Sequence, residues 1–289
     1  MKLAPRLFRC GCLLWAGLGL APAGGAAAPI RVVSQTVGTD ELLLALADPA
    51  QIAALSTLAQ QETFSAVAAE ARAYPQLGHS ADVESVLRYT PTLVLCADYS
   101  RAELVTQLRR LGVKVMVFDR YYSLADAYAN LRRLARELGP EAEARAGRII
   151  ADCEARVTAL RVKLRHVRPV RVIAPSTYGI IPGADSTFQD LCDHAAADNL
   201  AYSLGRLQGH APAPNEQILS WPVETVVLGG LDLESALAPF RAQPPYRYLP
   251  AVQAGRAVLL APWQLSCVSQ HRVDGYERLA RALHPEVFP

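Results

Sequence analysis

The chain has 289 residues, 51% of them hydrophobic and 19% charged, with 18 glycines and 20 prolines; this is the composition of a folded globular protein and excludes a disordered or fibrous one. Lys2, Arg6 and Arg9 account for three of its 29 basic residues, so the rest of the chain is close to neutral against 27 acidic ones. With no basic excess there is no phosphate-binding footprint, which argues against a dedicated nucleic-acid binder.

Residues 1–28 combine a short basic start, the apolar run Leu13 to Leu20 and small residues through Ala28, the layout of a secretory signal peptide. The run is too short to span a membrane, and no later segment reaches that length without charges. Cys10 and Cys12 precede the run, so neither has the position of a lipid-attachment cysteine. Export places Cys96, Cys153, Cys192 and Cys267 in an oxidising space where disulfides persist. Four cysteines allow three full pairings, which the sequence leaves open. Cys96 and Cys153 fall on apolar faces as small buried residues would, and Cys192 with Cys267 is the candidate pair if one bridge forms.

The mature chain opens on the β-branched strand Arg31 to Ser34. The pattern then predicts a helix at Asp40 to Leu46, a strand at Ile52 to Leu55, a helix from Asp82 and a strand at Leu93 to Leu95. A helix at Ser100 to Leu111, a strand at Val113 to Phe118 and a helix at Ser123 to Leu138 follow. Such alternation implies a parallel sheet covered on both faces. Beyond Pro140, apolar residues at 146, 149, 150, 153, 157, 160 and 164 recur in steps of three and four, marking one amphipathic helix over 141–167. At 1.5 Å per residue it would run roughly 39 Å, long enough to cross two lobes.

Arg171 to Ala174 opens a second half built like the first. Glu84-Ser85-Val86-Leu87, Pro91 and the strand at Leu93 in the first half correspond to Glu216-Gln217-Ile218-Leu219, Pro222 and the strand at Val226 in the second. Helices are expected near Thr187 to Ala197, Asn215 to Ser220 and Leu233 to Phe240, a strand at Ala257 to Leu260, and a final helix at Val273 to Leu283. The expected fold class is α/β: two Rossmann-like lobes with parallel sheets, residues 29–140 and 168–289, joined by one long helix. No phosphate loop, zinc-protease helix or GxSxG elbow is present, and His79, His166, His194, His210, His271 and His284 are scattered without ligand spacing. No enzyme activity and no resident cofactor are expected.

Several phrases in fixed order carry a family resemblance: Arg31 to Glu41, Leu77-Gly78 leading to Glu84, Pro91 to Leu95, His194 to Asn199, Tyr248 to Arg256 and Asp274 to Pro285. Over residues 30–289 the chain resembles the substrate-binding proteins of ABC importers for metal chelates, which bind ferric siderophores, haem or cobalamin. The resemblance implies a periplasmic monomer with a ligand cleft between the lobes and a helix that limits hinge motion. Its implied partners are the chelate and an inner-membrane permease dimer with its ATPase, met by Glu84 on one lobe and Glu216 on the other. The chain departs from the family's usual phrases at Thr92, Val223 and Ala196-Ala197, and it has His79 where haem-binding members often place tyrosine.

Strand ends facing the cleft carry the binding loops of an α/β sheet. On that argument the lining comes from Thr36, Thr39, His79, Tyr99, Arg101, Tyr121, Tyr122, Tyr178, Trp263, His271 and Arg272. Aromatic faces suit a large planar chelate, and arginine pairs with its acidic oxygens. A metal contact by His79 or His271 arises only with haem or a bare ion. The competing expectations are a zinc or manganese carrier, which needs convergent His and carboxylate ligands, and an exported enzyme with a catalytic cleft.

Overall fold

The computed structural model describes residues 29–78 and 82–288, so the expected signal peptide and His79 lie outside the described residues. The first lobe contains β1 (Val32–Ser34), α1 (Val37–Leu46), β2 (Ile52–Ala54), α2 (Ala68–Ala71), α3 (Val83–Leu87), β3 (Leu93–Ala97), α4 (Ala102–Arg110), β4 (Lys114–Phe118) and α5 (Leu124–Leu138). Its four strands are all parallel, in the order β2-β1-β3-β4. All residues of β1, β2 and β3 are buried, as a sheet covered on both faces requires. The edge strand β4 begins with an exposed lysine, a residue that discourages further strand pairing.

Helix α6 (Pro140–Leu164) then crosses to the second lobe. Gly139 makes the turn between α5 and α6 at φ +112°, a backbone conformation that side chains resist, and Pro140 occupies the first helical turn, where its missing N–H costs nothing. Ala142, Ala146, Ile150, Cys153, Leu160 and Leu164 form its buried stripe. That stripe enters a core shared with Leu42 and Leu46 of the first lobe and with Leu191, Val273 and Tyr276 of the second. The helix is therefore seated in a continuous core that includes both lobes.

The second lobe holds β5 (Val170–Ile173), β6 (Ile180–Pro182), α7 (Thr187–His194), β7 (Ala197–Asn199), α8 (Leu200–Ser203), β8 (His210–Pro212), β9 (Thr225–Gly229), α9 (Leu233–Ala242), α10 (Pro250–Gln253), β10 (Ala257–Leu260), α11 (Pro262–Ser266) and α12 (Arg272–Leu283). Its parallel sheet runs β10-β9-β5-β7. Numbered within each lobe, both sheets place the second strand, the first, the third and the fourth side by side, so the doubling seen in sequence is a doubling of topology.

Three elements differ from expectation. The helix foreseen to Ala197 stops at His194, because Ala196 adopts φ +50° and redirects the chain into β7, whose Ala-Asp-Asn sequence carries no β-branched signal. Glu216 precedes a 3-10 turn, Gln217–Ser220, where an α-helix was expected. An antiparallel pair, β6 with β8, lies outside both parallel sheets. No helix among the described residues is long and apolar enough to cross a membrane.

Candidate ligand-binding cleft

In a sheet whose first strand sits between the second and the third, the helices after the first and third strands leave on opposite faces and open a crevice at the strands' carboxyl ends. Both lobes present such an end. From the first lobe, Tyr99 follows β3, and Tyr121 and Tyr122 follow β4; from the second, Ala174 to Ser176 follow β5 and Tyr178 follows them. Ile180, Pro182 and His210 of the antiparallel pair form one wall, Phe188 closes the α7 side, and Leu265, Ser266 and Val268 form part of the floor. The open volume between them is about 1420 Å³. No Asp, Glu, Lys or Arg lies among these lining residues.

The tyrosines are arranged as a partly packed cluster facing water. Tyr99 and Tyr121 meet edge to face at 6.2 Å, and Tyr121 and Tyr122 are tilted at 5.1 Å. Tyr121 Oη donates to Asp98 Oδ1 at 2.8 Å. Burial first, then the Asp98 bond, pushes the Tyr121 phenol up, and burial likewise raises Tyr99, so both stay protonated. Tyr99 is nonetheless 67% exposed and Tyr178 89% exposed.

Of the residues singled out from sequence, Tyr99, Tyr121, Tyr122 and Tyr178 come together in the cleft. Thr36 and Thr39 line a smaller recess beside it, where they form the capping box of α1. The structure places the others away from this lining. Arg101 lies on an outer groove with Asp82, Glu103 and Gln107. Trp263 is half-buried in α11 and stands outside the lining. His271 faces a groove formed with α6 and sits 3.6 Å from Asp274; burial lowers its imidazole pKa, but Asp274 and Glu41 outweigh that and raise it. Arg272 is 2% exposed, its guanidinium consumed by protein groups. Chain-order reasoning brought these residues to the cleft end of the lobe, and side-chain direction took them elsewhere.

His210 was missed as a lining residue. It lies on a three-residue strand whose pairing with β6 has no alternating signature, so only its place between Gly209 and Pro212 hinted at a turn-bounded strand. Cys192 and Cys267 are free thiols, which corrects the candidate bridge. Cys192 is held in the core by α7, while Cys267 Sγ points to Glu41 and Ser269. Cys96 and Cys153 are also free and buried, and burial raises each thiol to about 11, so they behave as small apolar residues.

Beneath the cleft the lobes meet through buried polar groups on the segment 267–272. Glu41 of α1 accepts from Ser269 Oγ at 2.6 Å and from Ala66 N at 3.0 Å. A Cβ on Gly38 would stand 2.3 Å from Val268, so only glycine lets α1 approach this segment so closely. Asp190 of α7 accepts from Arg272 Nη1 at 2.7 Å, from Tyr276 Oη, and from Leu124 N of the first lobe at 3.3 Å. Next to Glu41, the buried Asp40 accepts from Ser56 N at 3.0 Å and Ser56 Oγ at 2.5 Å; burial nevertheless raises its carboxyl to about 7.

Two α/β lobes of one topology, a helix seated across both and an aromatic cleft between their strand ends define a two-lobed solute-binding protein. The chain belongs to the periplasmic binding protein family, whose sequence model matches residues 32–262, so the expected two-lobed binding-protein class is borne out. No curated protein matches the chain. Among solved structures it is similar to the periplasmic heme-binding protein RhuT from Roseiflexus sp. RS-1 in apo form, at TM-score 0.77 and 20% identity over 90% of this chain and 99% of that one. A periplasmic heme-binding protein from Pseudomonas aeruginosa aligns at 0.73 and 22% identity, covering 89% and 93%. The periplasmic vitamin B12 binding protein BtuF of Vibrio cholerae aligns at 0.67 and 18%, covering 88% and 96%. At these identities the likeness speaks for the fold.

Proposed function

We propose that this protein captures a bulky metal chelate in the periplasm and delivers it to an inner-membrane ABC permease with its ATPase. The observation that carries the reading is the set of four tyrosines in a cleft whose described lining residues include no Asp, Glu, Lys or Arg, two of the tyrosines being at least two-thirds exposed. Exposed rings gathered in a concave site gain most from a large flat or apolar partner. The lack of guanidinium and ammonium groups among the described lining residues favours a cargo of low net charge, such as a corrinoid or a neutral ferric siderophore. A haem would lay its faces on the rings, and His210 is the imidazole at hand among the described lining residues for an open iron position. A bare-ion carrier is less well supported, since no group of three or more His, Cys, Asp or Glu gathers in metal-holding geometry among the described residues. We take residues 1–28 as the signal peptide, 29–140 and 168–289 as the lobes, and 141–167 as the connector.

The test is an intrinsic-fluorescence titration of residues 29–289 with haemin, cyanocobalamin, ferrichrome and zinc chloride. Saturable one-to-one quenching by one chelate is expected. Tight zinc binding with no response to any chelate would overturn the reading.

Glu84 on α3 and Glu216 before the Gln217–Ser220 turn are both exposed, one per lobe, and neither makes an ion pair among the described residues. In this reading they meet basic groups on the two permease subunits. Charged rim contacts act chiefly on encounter rate and salt dependence. The double change Glu84→Ala with Glu216→Ala is expected to leave chelate affinity unaltered and to lower stimulation of transporter ATPase by about tenfold, two ion pairs at roughly 0.5–1 kcal/mol each. Full stimulation by the double variant would leave both residues as surface charges.

A further inference from the structure

We infer that Asp190 and Arg272 are positioning residues for the cleft, forming a buried interlobe latch that holds the Tyr121–Tyr122 wall in register with the second lobe. Its functional consequence rests on the chelate-binding reading above. The wall belongs to the first lobe, in the connection between β4 and α5; Tyr121 is half-buried and Tyr122 42% exposed, so each ring is open on its cleft side and its placement depends on the backbone that carries it. Five bonds hold that backbone. The first lobe supplies two sides itself: Asn130 Nδ2 donates to Arg120 O at 2.7 Å, and Asp126 Oδ2 accepts from Tyr122 N at 3.2 Å and from Ser123 N at 3.1 Å. The second lobe supplies the remainder. Arg272 Nη2 donates to Tyr121 O at 2.8 Å, and Asp190 Oδ1 accepts from Leu124 N at 3.3 Å.

The two latch residues are locked to each other and to their own lobe. Asp190 Oδ2 takes Arg272 Nη1 and Tyr276 Oη, the Tyr276 ring stacks on His194 at 4.2 Å, and Arg272 Nη2 also donates to Cys267 O at 3.1 Å. Arg272 Nε is left without a hydrogen-bond partner among the described residues. A buried ion pair with an unsatisfied donor is a poor means of stabilising a fold, because apolar residues of the same volume generally do as well. What apolar residues cannot do is reach across and bond a carbonyl and an amide of the other lobe. The directed bonds specify position, and the residues they position line the cleft.

The experiment compares the wild type with Arg272→Lys, which keeps the charge but loses the planar fork, and with the apolar double variant Asp190→Leu plus Arg272→Met. Amide hydrogen exchange of the ligand-free protein reads the latch directly. Exchange at Tyr122 to Leu124 is expected to rise about tenfold or more in Arg272→Lys while β1 and β3 stay protected. Stopped-flow release of whichever of haemin, cyanocobalamin or ferrichrome the wild type holds reads the consequence. The double variant, made together with Tyr276→Phe so that no buried hydroxyl loses its acceptor, is expected to stay folded with a melting temperature lowered by no more than a few degrees and yet release ligand about tenfold faster, a combination that a merely structural pair would not produce. Unchanged exchange at 122–124 in Arg272→Lys, or wild-type release from a folded double variant, would overturn the inference. If the wild type binds none of the three probes, the chelate reading fails while the exchange measurement still decides the latch.

Discussion

Replacing Tyr99 and Tyr178 together by alanine is expected to weaken chelate binding about a hundredfold, with little change in the thermal stability of the ligand-free protein. The rings lie on opposite lobes and are 67% and 89% exposed, so their removal deletes few internal contacts. In the complex each covers a ligand face, and loss of such an aromatic anchor costs about 1.5 kcal/mol, near tenfold per ring. Calorimetric titration of the singles and the double checks both the size and the additivity expected of two sites on separate lobes. Tyr99→Phe separates ring from hydroxyl. That phenol's pKa is raised from 10.0, so it is protonated at neutral pH, and phenylalanine should bind within about threefold of wild type if the ring face is the contact. A loss as large as alanine's would mean that the oxygen itself holds the ligand.

Asp40 should make the protein less stable as pH rises from about 4 to about 7. Its carboxyl is fully buried and raised from 3.8 to about 7, with burial the leading cause and Glu41 a smaller one in the same direction. A carboxyl whose pKa is higher folded than unfolded binds more protons in the folded state. Its stabilising contribution is therefore complete below the unfolded pKa and is lost as pH climbs through the folded one. A shift of this size corresponds to roughly 4 kcal/mol, a large share of a typical domain's stability. Asn in place of Asp40 keeps an acceptor for Ser56 N and carries no charge, so Asp40→Asn is expected to be more stable than wild type at pH 8 and little different at pH 4. Glu41, also raised by burial and then opposed by Ser269, leaves a residual slope in the variant. Urea unfolding at several pH values measures this, and equal slopes in both proteins would show that Asp40 is ionised in the fold.

Much of the fold could be read along the chain because its signals are local. The repeated β-branched openings at 31–34 and 171–174, the three-and-four spacing of apolar residues over 146–164, and the doubled Glu, Pro and strand unit each depend on neighbours within a few residues. Those suffice for two α/β lobes and a connecting helix, and the strand ends then locate the cleft and its four tyrosines.

Side-chain direction and long-range pairing are decided elsewhere. Arg272 and His271 are adjacent in sequence, yet one turns into the lobe junction and the other faces the groove on α6, because the first turn of α12 points successive residues in different directions. Cys192 and Cys267 are the pair that remains when Cys96 and Cys153 are read as buried apolar residues, and packing buries each thiol among other partners. His210 reaches the cleft only because β8 pairs with β6, some thirty residues earlier, with no alternation to announce it. The Asp190–Arg272 contact joins residues 82 apart in the chain and then bonds a backbone 66 residues before Asp190. The sequence by itself determined the lobes, the connector and the place of the cleft, because local periodicity is enough to choose which faces are buried. Which polar groups line that cleft and which lock the lobes beneath it was settled by the tertiary structure, where each buried donor and acceptor must find a partner wherever in the chain it lies.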